Sequence, residues 1–252
     1  MKYTVITGAS SGIGYETALA FAGRGKNLIL GARRESELEK LKAKILAQHP
    51  ELDVVIRKVD LSDMDETFAF DGFTEDYEVE TWINNAGFGN FDPVGNQDLY
   101  KIEDMLNVNV EALTILSSLY VERYGDVPGA QLINVSSAGG YSLIGNAITY
   151  CASKFYVSAF TEGLAHELQD LKKPLRAKVL APAATETEFA KLARNTTSFD
   201  YTALPKYHTA QEMAGFLLDL YDSDKVLGLV NGLTYEFELR DPIYPYYSSI
   251  TR

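Results

Sequence analysis

Thr7-Gly8-Ala9-Ser10-Ser11-Gly12-Ile13-Gly14 stands between a short apolar run at residues 3–6 and a helical pattern at 15–23. Glycine turns sharply because it has no Cβ, and it lets backbone N–H groups come close to an anion. A helix that starts directly behind such a turn adds the positive end of its dipole. Three glycines also suffice for an ordinary tight turn, so the residue types alone are a weak signal. Their place in a strand–turn–helix unit makes a dinucleotide pyrophosphate the better reading. Gly8, Ser10, Ser11, Gly12, Ile13 and Gly14 are then candidate cofactor-binding residues.

Outward from this turn the same rhythm repeats. Strand-like runs fall at 28–30, 54–59, 81–83, 131–135, 176–180 and 226–230. Between them, apolar residues recur at three- and four-residue steps, as in Leu38, Leu41 and Ile45. Strands alternating with helices imply βαβ units, hence an α/β fold with a parallel sheet of about seven strands covered on both faces. The pattern runs from residue 2 to about residue 230 with no repeat or linker, so residues 1–252 read as a single domain. Two segments depart from it. Residues 183–208 mix aromatic and polar residues and read as a substrate lid. The tail, 231–252, carries five aromatics and two prolines and reads as an irregular segment for packing or subunit contact.

Composition sets the outer limits. Hydrophobic residues make up 46% and charged residues 23%, which excludes a disordered or fibrous chain. The net charge of −12 disfavours nucleic acid and anionic membranes as partners. No apolar run reaches the ~20 residues of a membrane span, and no signal peptide precedes the first glycine. The single cysteine, Cys151, has no partner for a disulfide, and the three histidines (His49, His166, His208) lack metal spacing. The expectation is a cytoplasmic protein without a metal site.

At the end of the second strand the sequence reads Gly31-Ala32-Arg33-Arg34. An NAD site places an acid here for the ribose 2′-hydroxyl, whereas arginine suits a 2′-phosphate. The bland reading is a pair of solvated charges. Cations at a helix start are electrostatically disfavoured, which favours a ligand-driven reason. NADP(H) is the expected cofactor, with Arg33 as the main contact and Arg34 as its neighbour.

With these residues in place, the chain resembles the short-chain dehydrogenase/reductase family in its shorter, one-domain form. The likeness spans about residues 2–230 and rests on motifs in order: Thr7–Gly14, Asp60-Leu61, Asn84-Asn85-Ala86-Gly87, Asn109, Ser136-Ser137, Tyr150-Cys151-Ala152-Ser153-Lys154, and Pro182 with Thr187. The resemblance implies a Rossmann-type, doubly wound sheet and a homodimer or homotetramer. It also implies that Asp60 accepts from the adenine amino group beside Leu61, and that the Asn85, Ala86 and Gly87 backbone lies against the cofactor ribose. Pro182, Thr185 and Thr187 would then lie near the nicotinamide carboxamide and phosphates. The glycine usual after that proline is Ala183 here, a cost if the position needs an unusual φ.

Tyr150 and Lys154 are four apart and share a helix face. A free tyrosine has a pKa near 10, and an adjacent ammonium stabilises its phenolate. Tyr150 is therefore the candidate acid/base and Lys154 its tuning group, which also reaches the cofactor ribose. An isolated pair of this kind would read as ordinary amphipathic helix. Ser137 closes the fifth strand, where a hydroxyl can donate to a substrate oxygen; Ser136 competes, and the family motif selects Ser137. Asn109 sits unfavourably in a helical stretch, 104–119. The resemblance gives it a water relay to Lys154, with Asn107 as rival. Cys151 reads as packing, and the acidic runs 60–66 and 75–80 as solvated surface apart from Asp60.

The expected function is NADP(H)-dependent hydride transfer between the nicotinamide and a carbonyl or secondary alcohol of a small, partly apolar substrate. The alternative is a nucleotide-binding sensor on the same fold without turnover.

Overall fold

A computed structural model describes residues 1–248. Its main sheet has eight strands: β1 (Lys2–Thr7), β2 (Asn27–Ala32), β3 (Val54–Lys58), β4 (Glu78–Asn84), β5 (Gln131–Val135), β6 (Arg176–Ala181), β9 (Leu227–Val230) and β10 (Phe237–Arg240). β7 (Thr185–Glu186) and β8 (His208–Thr209) form a separate two-stranded sheet. The helices are α1 (Gly12–Ala22), α2 (Glu35–Gln48), α3 (Met64–Thr74), α4 (Leu99–Leu106), α5 (Leu113–Tyr124), α6 (Ile148–Asp170), α7 (Phe189–Ala193) and α8 (Ala210–Asp222).

The main sheet runs β10-β9-β6-β5-β4-β1-β2-β3, parallel except for β10. Its central strands are buried along most of their length because helices cover both faces. Alternate residues serve opposite cores. Ile6, Leu28 and Leu30 join Phe21, Leu38, Leu41 and Leu217 on one side. Val5, Ile29 and Trp82 join Phe70, Leu116 and Tyr120 on the other. Each such side chain contributes roughly 1.5–3 kcal/mol by leaving water. Strand order reverses between β1 and β4, so a crevice opens at their carboxyl ends, where Thr7 and Asn84 lie.

Four expectations need correction. The sheet has eight strands, since the tail expected to be irregular supplies β10, antiparallel to β9. The 104–119 helical stretch is interrupted by a π-helical turn at Asn107–Ala112. The acidic runs are partly structural. Asp63 caps α3, Glu66 accepts from the Asp60 N–H at 2.7 Å, and Glu80 pairs with Lys26 at 2.6 Å. Ala183 adopts no left-handed backbone, so its replacement of glycine carries no conformational cost. Among the described residues no helix is long and apolar enough to cross a membrane.

Candidate active site

The turn after β1 is shaped by glycine. Gly8 and Gly12 have φ of +68° and +57°, values that side chains rarely adopt. A Cβ on Gly8 would also lie 2.8 Å from Ala86 Cα, and one on Gly12 3.0 Å from Thr187 Cγ2. The turn is thus pressed between the β4 loop on one side and Thr187 on the other. Its supports come from that loop: Asn85 Nδ2 donates to the Thr7 carbonyl at 2.9 Å, and Thr7 Oγ1 accepts from the Asn85 and Ala86 N–H groups at 3.1 and 3.0 Å. The sequence motif pointed to the turn but gave no sign of this Thr7 clasp. Ile13 and Gly14 open α1 with Gly12, so the helix N-terminus faces the crevice.

Arg33 and Arg34 separate. Arg33 is mostly exposed and lies 3.9 Å from the Asp60 carboxylate. Arg34 turns to the glycine loop, donating to Ser10 Oγ at 3.3 Å and Ser11 Oγ at 2.6 Å, and pairs with Glu188 at 2.8 Å. The arginine expected to be a mere neighbour therefore has the closer link to the turn. Asp60 accepts from the Ser62 N–H and hydroxyl, and Leu61 is buried beside it.

Across the crevice lie the other candidates. Ser137 follows β5; its Oγ caps the short 3₁₀ turn Ala138–Gly140 by accepting from the Gly139 N–H at 3.0 Å. Pro182 accepts through its carbonyl from the Ala138 N–H at 2.7 Å, tying the β5 and β6 ends together. Tyr150 and Lys154 are buried on α6. Burial pushes the Tyr150 phenol up to about 12, against a hydrogen bond from Ser137 that lowers it. Burial also pulls Lys154 down to about 8. Lys154 Nζ donates to the Val135 carbonyl at 2.9 Å. Gly87 passes between the two remaining members: a Cβ there would lie 2.9 Å from Asn109 Oδ1 and 3.3 Å from Lys154 Nζ.

Asn109 is fully buried in the π-helical turn, a deviation frequent at functional sites. Its Nδ2 donates to the Phe88 carbonyl and Ser153 Oγ, and its Oδ1 accepts from the Phe88 N–H. The side chain thus joins the β4 loop to α6. Ser153, three residues after Tyr150, was missed in the sequence; its hydroxyl donates to the Tyr150 carbonyl at 2.7 Å.

The 183–208 segment packs on this site. Phe189 and Phe91 meet the Tyr150 ring at centroid distances of 5.4 and 6.1 Å. Arg194 lies over Phe91 at 4.7 Å and Phe199 at 5.2 Å, so its charge is spent on aromatic faces. Thr185 pairs with His208 in the small sheet, and Thr187 Oγ1 accepts from the Phe189 N–H at 3.2 Å.

A glycine turn at the topological switch of a parallel sheet, facing a buried serine, tyrosine and lysine, defines a nucleotide-dependent oxidoreductase of the doubly wound type. The comparisons agree. Residues 2–198 match the short chain dehydrogenase family, and the chain belongs to it. An uncharacterized oxidoreductase of Staphylococcus saprophyticus is 33% identical over 191 residues, 74% of this chain and 75% of that one. A short-chain dehydrogenase from Sphingobium yanoikuyae, solved with NADPH, superposes with a TM-score of 0.82 at 28% identity, covering 90% of this chain and 86% of that one. A bulky-bulky ketone specific alcohol dehydrogenase from Comamonas testosteroni gives 0.79 at 25%, covering 90% and 85%.

Proposed function

We propose that this oxidoreductase uses NADP(H) to interconvert a partly apolar ketone and its secondary alcohol, in the direction of reduction. The observation that carries the reading is the burial of Ser137, Tyr150 and Lys154 together at the crevice, with the Ser137 side chain near enough to the phenol to lower its pKa and Lys154 one helical turn away on α6. Two hydroxyls converging on one point can hold a single carbonyl oxygen.

The residues fit the cofactor. The backbone of Gly8, Ser10, Ser11, Gly12, Ile13 and Gly14 forms an anion cradle at a helix start, and Arg34 supplies a guanidinium beside its two serines. Asp60, Leu61, Asn85, Ala86, Gly87, Pro182, Thr185 and Thr187 line the adenine, ribose and nicotinamide reaches of the same crevice in this reading. When bound, NADPH supplies the hydride. Ser137 donates to the substrate oxygen and Tyr150 gives its proton to it, a role suited to a phenol held in its neutral form. The Lys154 ammonium stabilises the phenolate left behind. Asn109 holds the β4 loop and α6 in register around them. Phe91, Phe189 and the outlying Leu143 and Ile144 make the approach apolar. The named specificity of the Comamonas testosteroni relative for bulky ketones supports that choice.

The lone buried Cys151 supports a reducing, cytoplasmic setting. Exposed Leu99 and Tyr100 on α4 and Ile148 and Tyr156 on α6 support a homodimer or homotetramer.

The test is NADPH oxidation across ketones from acetophenone to benzophenone. Turnover that Tyr150→Phe abolishes, with NADPH affinity retained, is the expected result. A Tyr150→Phe variant with wild-type turnover overturns the mechanism. NADPH binding without consumption of any ketone would favour the sensor reading.

A further inference from the structure

Glu162 is a fully buried carboxylate on α6, two helical turns beyond Lys154. No cation pairs with it among the described residues. A polar group left without hydrogen-bond partners in such a place is costly, so its partners matter. Oε1 accepts from the Tyr141 hydroxyl at 2.6 Å. Oε2 accepts from the backbone N–H groups of Ile243 and Tyr244 at 2.6 and 3.0 Å. Two of the three donors therefore belong to the C-terminal tail.

The tail then reaches back to the active site. The Tyr244 hydroxyl donates to the Gly140 carbonyl at 2.9 Å, and its ring stacks on Tyr141 at 5.7 Å and 16°. Gly140 ends the 3₁₀ turn that Ser137 caps. That turn has no slack on its other side: a Cβ on Gly140 would lie 2.6 Å from both the Lys154 carbonyl and Ser158 Oγ. The turn is thus clamped between α6 and a tyrosine hydroxyl delivered by the tail.

We propose that Glu162, Tyr141 and Tyr244 form a strap through which the C-terminal tail fixes the direction of the Ser137 hydroxyl. They are positioning residues: none touches the Tyr150 hydroxyl, and all act through the 138–141 turn. The chemistry favours this over simple tail packing. Three hydrogen bonds of 2.6 to 3.0 Å converge on the two oxygens of one side chain, and such directional contacts fix geometry in a way that apolar packing does not. This inference rests on Ser137 as the donor to the substrate oxygen.

The experiment compares Tyr244→Phe, Glu162→Ala and Glu162→Gln by amide hydrogen exchange and by steady-state kinetics on the best ketone of the panel. Tyr244→Phe keeps the stacked ring and removes one hydroxyl. It should speed exchange at residues 138–141 while leaving residues 8–14 as in the wild type. It should also lower kcat about tenfold, the scale of a small misplacement of a reacting group, with the NADPH dissociation constant unchanged. Glu162→Gln keeps an oxygen acceptor for the tail and should recover much of what Glu162→Ala loses. Wild-type exchange at 138–141 in both Tyr244→Phe and Glu162→Ala overturns the strap. So does a loss of turnover matched by an equal loss of NADPH affinity, which marks general damage. Exchange reads the strap without any turnover, so a failure of the proposed reaction shows separately, in the Tyr150→Phe control.

Discussion

Arg34 and Glu188 form an ion pair across the mouth of the nucleotide crevice, one on the α2 side and the other at the start of α7. Lys191 first, and Arg34 second, hold the Glu188 carboxyl below the usual carboxylate range. An anion seated on Ser10 and Ser11 would compete with Glu188 for the same guanidinium. Removing the competitor should therefore help an anionic ligand. Glu188→Gln should tighten 2′,5′-ADP a few-fold, on the ~0.2–1 kcal/mol scale of exposed pairs, and leave 5′-AMP unchanged. Arg34→Ala should weaken 2′,5′-ADP by about 1–3 kcal/mol and 5′-AMP far less. Calorimetric titration of the two nucleotides measures both effects. Equal losses for the two nucleotides would remove Arg34 from the 2′-phosphate site. The arginine pair was legible in the sequence, but its division of labour was not. Which guanidinium faces the turn depends on Glu188, 154 residues further along, and adjacent residues on a chain do not announce their directions.

At the scale of elements, what was legible followed from periodicity and what was hidden lacked it. The seven parallel strands of the main sheet, β1 to β6 and β9, and the helices between them carry clear apolar patterns. β10 spans only four residues, Phe237–Arg240, and alternates apolar with charged residues at the tail's start. Its side chains still find a place, Phe237 stacking on Phe216 at 4.3 Å. Its charged Glu238 and Arg240 discourage further strands from adding at that edge. The π-helical turn was equally hidden, because one extra residue in a helix leaves little trace in an apolar pattern. Lys178 on β6 shows how an apparent misfit can be an element's anchor. It is buried, and its ammonium donates to the carbonyls of Leu220, Tyr221 and Ser223 at 2.8, 2.9 and 2.7 Å, closing the end of α8. A cation there also opposes the negative pole of the helix. Lys178→Met should strand those carbonyls and lower unfolding stability by about 2–3 kcal/mol in urea titration. Its kinetics below the transition should match the wild type.

For the whole molecule, two buried lysines with the same depressed pKa let pH separate activity from stability. Burial holds Lys154 and Lys178 at about 8, against an ordinary 10.5. Between those values the unfolded chain binds more protons than the folded one, so each lysine makes stability rise with pH, by about 1 kcal/mol per unit. Below 8 both states are protonated and the rise is absent. Above about 10 the trend reverses. Tyr3, Tyr150 and Tyr244, raised by burial to about 12, keep their protons while unfolded tyrosines lose theirs. The growing negative charge of a chain already at −12 works in that same downward direction. Activity should follow only Lys154. The kcat/KM for NADPH, which reports the nucleotide-free enzyme, should be flat to about pH 8 and then fall about tenfold per unit as the ammonium is lost. Lys178→Met isolates the two effects. Its kcat/KM profile should overlay the wild type. The stability advantage of the wild type over the variant should widen between pH 8 and 10. An advantage constant over that range would mean that the three α8 carbonyls hold the Lys178 proton against the cost of burial.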